Sequence, residues 1–448
     1  MKIRAAVSLV NLRVLVAGVC SVVSVHACAC SANPIARGDL SLNPAAAYLV
    51  TAFSRFPLVA FSEPGHGAAG TKAFLTSLIT QPGFAGTVND IVVEFGNARY
   101  QSVVDRYISG EPVDRAELKQ VWENTTIVSG VWSAPVYEEV LKEFRNVNAR
   151  LPAGERIRVL LGDPPIDWSV VRGPADEDMN DWRDAHFAWV VEERVMKRGH
   201  RALLWIGGAH ISRQVRFPDS LIHLLDRRFP HRTLVALAVD ARNVDPRVVS
   251  RFDTWPTFAA SPVSGTWFGR LDAVQIGARY STGTVEQNMD VAIFWQSMAG
   301  DDAPRVDSTN DAEVQRRRRL AEATVPFRGG RIRFERDAAM LTPDSDDPLR
   351  AVVAELQRDS GLRLLVKAFS DAREAGGAEL SWNRARVVVD WLTAHGISSD
   401  RLVAKGCASV RALWVGHTEE ERAANRRAEL VRLSKFATCE PPASFEFR

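Results

Sequence analysis

The chain has no long hydrophobic run, no excess of one charge and few cysteines. Its apolar stretch near the start, Val14 to Val25, is twelve residues long. A helix needs about 20 apolar residues to cross a bilayer, so a permanent membrane span is the poorer reading of that stretch. The 56 Lys and Arg against 54 Asp and Glu leave a formal net charge of +2. There is therefore no basic field of the kind that binds nucleic acid, and no acidic tail. The five cysteines fall in no metal-binding spacing, and no internal repeat is visible. What remains is an ordinary globular composition, 46% hydrophobic and 25% charged. At 448 residues the chain is too long for one core, and two domains are expected. The one dense charge block, Arg316 to Arg319, reads as a solvated helix face or linker.

The N-terminus has the layout of a secretory signal over residues 1–30. Lys2, Arg4 and Arg13 precede the apolar run, and small residues and cysteines follow it. Two processing routes fit. Ala27-Cys28-Ala29 offers an A-x-A cleavage site that leaves a soluble periplasmic protein, whereas Val25-His26-Ala27-Cys28 resembles a lipobox in which Cys28 is lipidated and anchors the chain to the outer membrane. Both routes take the protein out of the cytoplasm. In an oxidising periplasm Cys407 and Cys439 can pair. Two unpaired thiols are the alternative, since spacing in sequence does not place Cα atoms within the ~4.4–6.8 Å a bridge needs.

Apolar, β-branched runs at Pro57–Ser62, Ile91–Phe95, Ile157–Gly162, Ala202–Ile206, Leu234–Val239 and Met289–Trp295 predict strands. Helical patterns such as Tyr100–Ile108, Val136–Val147 and Trp182–Met196 lie between them. Strands that are apolar throughout and alternate with amphipathic helices predict an α/β domain over 50–300, a mostly parallel sheet flanked by helices. Residues 301–324 are rich in Asp, Arg and Ala and are placed as a linker. Beyond them, 325–435 reads as a second, α+β domain with the order β-α-β-α-β-β. It starts at Ile332-Arg333-Phe334, with helices near Pro348–Arg358 and Ser381–His395, and with strands at Leu362–Ala368, Leu402–Ala404 and Ala428–Leu433.

Four ordered motifs carry a resemblance in this second domain. They are Lys367-Ala368-Phe369-Ser370-Asp371, Leu380-Ser381-Trp382-Asn383-Arg384-Ala385, Gly396-Ile397 with Asp400-Arg401-Leu402, and Asn425-Arg426-Arg427-Ala428-Glu429-Leu430. The region resembles the OmpA-like peptidoglycan-binding family, with Ala368, Phe369 and Ser370 standing where the family has Gly, His and Thr. The resemblance implies binding of the diaminopimelate side chain of the peptidoglycan stem peptide, a group with an ammonium and a carboxylate on one carbon. Asp371 would accept from the ammonium, Arg384 would take the carboxylate in bidentate fashion, and Arg426 belongs to the same implied site. The plainer reading of Asp371 and Arg384 is a surface ion pair.

In the first domain the polar residues fall at strand ends. Glu63 and His66 follow the first strand in Phe61-Ser62-Glu63-Pro64-Gly65-His66-Gly67, Glu94 closes the second in Val92-Val93-Glu94-Phe95, and His210 follows Gly207-Gly208-Ala209. In open α/β sheets ligands bind at that edge, so these four residues are expected to converge on one pocket. Taken singly, a His beside a glycine turn is more often structural. A carboxylate ending an apolar strand, as Glu94 does, is desolvated unless it has a partner, and such groups are often functional. Asp163 also ends a strand but can serve only to shape the Asp163-Pro164-Pro165 turn, and His186 lies mid-helix.

Glu63-Pro64-Gly65-His66-Gly67, Glu94, Arg183-Asp184-Ala185-His186 and Gly208-Ala209-His210 together resemble the erythromycin-esterase superfamily, with its ChaN-like and TIKI-like members. The resemblance implies a hydrolase for an ester, a lactone or a wall component. His66 would act as general base, oriented by Glu63 or Glu94, and His210 would act on the developing oxyanion or as general acid. The Arg that family esterases carry soon after the first His has no clear counterpart, Lys72 being a poor substitute. No cofactor is required, although a variant with a bound divalent metal fits two His and two Glu. The alternatives are a periplasmic metal- or haem-binding protein and a non-catalytic envelope anchor.

Overall fold

The computed structural model describes residues 40–68, 70–127, 131–171, 183–215, 220–251, 255–278, 280–296, 312–313, 315–317, 332–409 and 419–433. The secretory-type segment with Cys28, most of the 301–324 linker, and Cys439 lie outside the described residues. Eight strands form the first sheet: β1 (Asn43–Pro44), β2 (Leu58–Ser62), β3 (Asp90–Asn97), β4 (Arg158–Asp163), β5 (Ala202–Trp205), β6 (Thr233–Asp240), β7 (Ala259–Pro262) and β8 (Val291–Trp295). Their order is β1-β7-β8-β6-β2-β5-β3-β4. Pairing is parallel from β8 to β4, and β7 runs antiparallel between β8 and the edge strand β1. The six strands expected from their apolar runs are the parallel ones. Strands β1 and β7 are short, and their antiparallel pairing needs no apolar run of its own.

Residues in the strands alternate between two cores, as the period of two requires. Val59, Phe61, Ile91, Val93, Leu203, Trp205 and Ile293 face one core. Leu58, Ala60, Val92, Ala202, Leu204, Val235 and Ala292 face the other. Helices Ala45–Ala52, Gly70–Ile79, Gln101–Ser109, Arg115–Glu123 and Val136–Asn148 cover the first face. The second is covered by Arg183–Val190 and its π-helical continuation Val191–Val195, and by Leu221–Arg228. Each strand is thus buried on both sides, which is why it reads as apolar throughout.

In β3 the register with β4 runs from Val93↔Leu161 directly to Asn97↔Asp163, so the strand bulges across Glu94–Gly96. A bulge of this kind re-aims side chains. At Gly96 a Cβ would lie 2.3 Å from Leu161 Cδ2, so any larger residue there would displace the buried Leu161 side chain. At the outer edge of β4 the carboxamide of Gln101 stands in for a neighbouring strand, its Nε2 donating to Val159 O at 2.7 Å and its Oε1 accepting from Leu161 N at 2.8 Å.

The second sheet contains β9 (Ile332–Arg333), β10 (Leu364–Ala368), β11 (Leu402–Gly406) and β12 (Arg427–Arg432), ordered β11-β10-β12-β9. Only β10 and β11 pair in parallel. Helices Asp346–Arg358 and Gly377–Ala394 pack on it through Leu349, Val352, Leu356, Ala385, Val388 and Leu392. The expected β-α-β-α-β-β order is present, with one addition: helix Glu419–Asn425 precedes β12. Cys407, just after β11, is disulfide-bonded.

The arginine run departs from expectation. Arg316 donates to Trp168 O and Val171 O, and Arg317 lies over the Trp168 ring and donates to Asn124. These two are docked on the first domain. Free carbonyls in its loops attract the guanidinium groups, which a reading from composition does not register.

Candidate functional site

The chain leaves β2 towards β3 and β4 on one side and reaches β6 and β8 on the other only later. Loops at the carboxyl ends of the strands part at such a point and open a crevice. A cavity of about 420 Å³ lies there, lined in part by Ser62, Glu63, His66, Gly207, His210, Asp240 and Tyr280. Of the four residues expected from the sequence to converge on one pocket, Glu63, His66 and His210 line this cavity, while Glu94 is buried behind its wall against Gly207 N, Arg183 and His210.

Glu63, buried at the end of β2, holds three donors. His66 Nδ1 lies 3.1 Å from Oε1, the Tyr137 hydroxyl donates to the same oxygen at 3.2 Å, and Thr71 Oγ1 donates to Oε2 at 2.9 Å. The His66 ring stacks edge-on to Trp132 with centroids 4.5 Å apart, and its side chain is 32% exposed, the most open of the group. Burial alone would lower its pKa. The hydrogen bond to Glu63 and the charges of Glu94 and Glu63 outweigh burial, so His66 is a stronger base than a free imidazole. Burial, with the charges of Glu63 and Glu94, raises the Tyr137 phenol well above its ordinary range and keeps it a neutral donor.

Glu94 stands at the bulge of β3. Gly207 N donates to its Oε2 at 2.6 Å, Arg183 Nη2 donates to its Oε1 at 3.1 Å, and His210 Nε2 is 3.4 Å from Oε1. Burial would raise this carboxyl, but His210, Arg183 and His66 hold it well below the usual carboxylate range. His210 is gripped from its other side by Asp184, whose two oxygens are each 2.9 Å from Nδ1. Burial opposes the charge on this ring, yet Asp184 and Glu94 push its pKa up to about 10. At neutral pH His210 is therefore an imidazolium, able to give a proton or steady an anion but not to act as base.

The sequence reading named Arg183 and Asp163 but gave neither a part in tying this network together. Arg183 bridges two buried carboxylates, with Nε on Asp163 Oδ1 at 3.0 Å as well as Nη2 on Glu94. Asp163 also accepts from Thr126 N and Oγ1, both at 2.7 Å, so it does more than shape a turn. Lys72 pairs with Glu139 at 3.2 Å, on half-exposed side chains. His186 points inward, donates to Gly162 O at 2.6 Å, and is kept neutral by burial, which lowers its pKa to about 4. Among the described residues no group of three or more His, Cys, Asp or Glu side chains is arranged to hold a metal ion.

In the second domain Asp371 and Arg384 are both buried and do not pair with each other. Arg384 forms a two-pronged ion pair with Glu374, at 2.7 and 2.6 Å. Asp371 accepts from Asn425 Nδ2 at 3.1 Å and from Arg373 N at 3.2 Å. Arg426 donates to Glu419 at 2.8 Å, while Arg427 lies 4.0 Å over the Phe369 ring. No helix among the described residues is long and apolar enough to cross a membrane.

Residues 333–426 match the model of the OmpA family, so the second domain is OmpA-like. Over 114 residues the chain is 34% identical to the peptidoglycan-binding protein ArfA of Mycobacterium tuberculosis, and equally to that of Mycobacterium bovis. The matched stretch is 25% of this chain and 35% of those relatives, so the chain spans about a third of their length. Among solved structures, a putative MotB-like protein from Desulfovibrio vulgaris is 29% identical over 22% of this chain and 67% of its own, with a TM-score of 0.20. The peptidoglycan-associated lipoprotein from Burkholderia pseudomallei is 23% identical over 23% of this chain and 89% of its own, with a TM-score of 0.22.

Proposed function

We propose that the chain is a cell-envelope protein held to peptidoglycan through its OmpA-like domain, and that its larger α/β domain is a hydrolase. The first half is supported by the OmpA match and by the relatives named for peptidoglycan binding. On this reading the ligand is the diaminopimelate end of the stem peptide, with Asp371 receiving the ammonium, Arg384 the carboxylate, and Arg426 bracing the rim. The export routes through the N-terminal segment, periplasmic or lipid-anchored at Cys28, belong to the same proposal.

One observation carries the second half: a His made more basic by a buried Glu, on the wall of a cavity that also holds an imidazolium. His66, with Nδ1 on Glu63, takes a proton from water at the cavity. His210 lines the same cavity, fixed by Asp184, and meets negative charge developing on a substrate carbonyl oxygen or returns a proton to the leaving group. Asp184 and Glu94 keep that imidazolium charged and still, and Arg183 holds Glu94 in place. An ester, a lactone or a wall component suits this chemistry.

The test is hydrolysis of an ester and lactone panel by wild type beside His66→Ala and Glu94→Ala, with and without chelator. Turnover lost in both variants supports the hydrolase, and sensitivity to chelator would bring in a divalent metal. No turnover by a folded wild type would favour a metal- or haem-binding protein or an inert anchor.

A further inference from the structure

Every N–H of Arg384 already has an acceptor. Nε donates to Ala338 O at 3.0 Å, Nη1 to Phe369 O at 3.1 Å and Nη2 to Glu335 O at 2.9 Å. The remaining two go to the carboxylate of Glu374. That carboxylate in turn takes four donors, the two from Arg384 together with Asp337 N at 2.9 Å and Asp371 N at 2.8 Å. A guanidinium fork with one backbone N–H beside each oxygen is the complement of a free carboxylate. The chain has built a carboxylate receptor and filled it.

The filling group comes from a small loop. Between Asp371 and the helix that starts at Gly377, residues Ala372, Arg373, Ala375 and Gly376 are all exposed, and Glu374 alone is buried. Gly376 has φ +64°, a conformation glycine takes without strain, at the point where the loop meets the helix. Swinging this loop outward costs no apolar packing and uncovers four donors, two N–H groups of Arg384 on the helix and the backbone N–H groups of Asp371 and Asp337. Asp371, whose backbone N–H belongs to the receptor, stands beside it with its own carboxylate.

We propose that Glu374 is an internal stand-in for the ligand, and that the carboxylate of a group bearing ammonium and carboxylate on one carbon binds by displacing it. This rests on the reading of the domain as a peptidoglycan binder. A tethered competitor lowers apparent affinity by the fraction of time the receptor is open. Removing it should therefore tighten binding, on the order of tenfold or more.

The experiment compares full-length wild type with Glu374→Ala, Glu374→Gln and Arg384→Ala. Calorimetry with meso-diaminopimelate and co-sedimentation with purified sacculi read binding, and thermal melts with and without acetate read occupancy. Glu374→Ala is expected to bind at least tenfold more tightly than wild type, and acetate should raise its melting temperature but not that of wild type. Arg384→Ala should not bind. If Glu374→Ala does not fold, Glu374→Gln gives the same comparison, because its amide no longer satisfies the fork. Binding by wild type that neither Glu374 variant improves overturns the stand-in and leaves the peptidoglycan reading intact. Binding by no folded protein in the set overturns both.

Discussion

Gly207→Ala puts the arrangement of the α/β site to a quantitative test. Gly207 has φ −57° and ψ 146°, a backbone conformation open to any residue. The substitution therefore carries no backbone strain, and restricting the unfolded chain should by itself stabilise by about 0.4–1 kcal/mol. The added methyl tells a different story. Its position is 2.9 Å from Glu94 Oε2, 3.0 Å from His66 Cε1 and 3.3 Å from His66 Nε2. Neither neighbour is at liberty to retreat, because Glu94 is held by Gly207 N and Arg183, and His66 by Glu63 and Trp132. Overpacking of this kind costs about 1–3 kcal/mol. Loosening the 2.6 Å bond from Gly207 N to a charged carboxylate adds about 1 kcal/mol or more. Set against the gain in the unfolded state, the net loss is about 2 kcal/mol, or roughly 4–8 °C in the melting of a domain of this size. Scanning calorimetry reads it directly. Gly208→Ala is the matched control, since its methyl would come no closer than 3.5 Å to Ser62 Oγ, and it should be near neutral. A Gly207→Ala protein that melts at or above wild type would refute the packed contact of His66, Glu94 and the β5 turn.

Other outcomes follow from the same network. Arg183→Met leaves Glu94 and Asp163 buried without their shared cation and should cost about 3–5 kcal/mol. Denaturant unfolding measures that loss, and a midpoint equal to wild type would remove Arg183 from the account. His210 has a pKa raised above its unfolded value of 6.5 to about 10. Its contribution to stability is therefore complete below pH 6.5 and is lost as pH rises through about 10. His210→Asn should flatten the fall in stability over that window, and an unchanged profile would contradict the imidazolium assignment. The Glu94 carboxyl, held well below its ordinary value, contributes in the opposite sense, at neutral pH and less as the solution is acidified.

The parallel core was legible because burial on both faces writes itself into single residues. Val59 and Phe61 face one core, Leu58 and Ala60 the other, and none of them can be polar. The carboxyl-edge placement of Glu63, His66, Glu94 and His210 could also be read, because strand direction follows from α/β alternation. Their partners could not. Arg183 reaches Glu94 from 89 positions away, and its place in the Arg183-Asp184-Ala185-His186 motif does not say which carboxylates it meets. Glu374 was invisible for a related reason. It sits in an exposed loop with no period, and only the coincidence of Arg384, Asp337 N and Asp371 N in space gives it a role. Strands β1 and β7, of two and four residues, are too short to carry a pattern of their own.

Gln101 bears on how copies of this protein tolerate one another. The margin of a sheet is adhesive, offering unpaired donors and acceptors to any extended chain that drifts past. Here the amide at Leu161 and the carbonyl at Val159 are already spoken for by one side chain, in the spacing a strand would use. An intruding strand would have to evict that carboxamide before its first bond could form. A single glutamine thus acts as the selvedge that stops another molecule's strand from being woven onto this sheet.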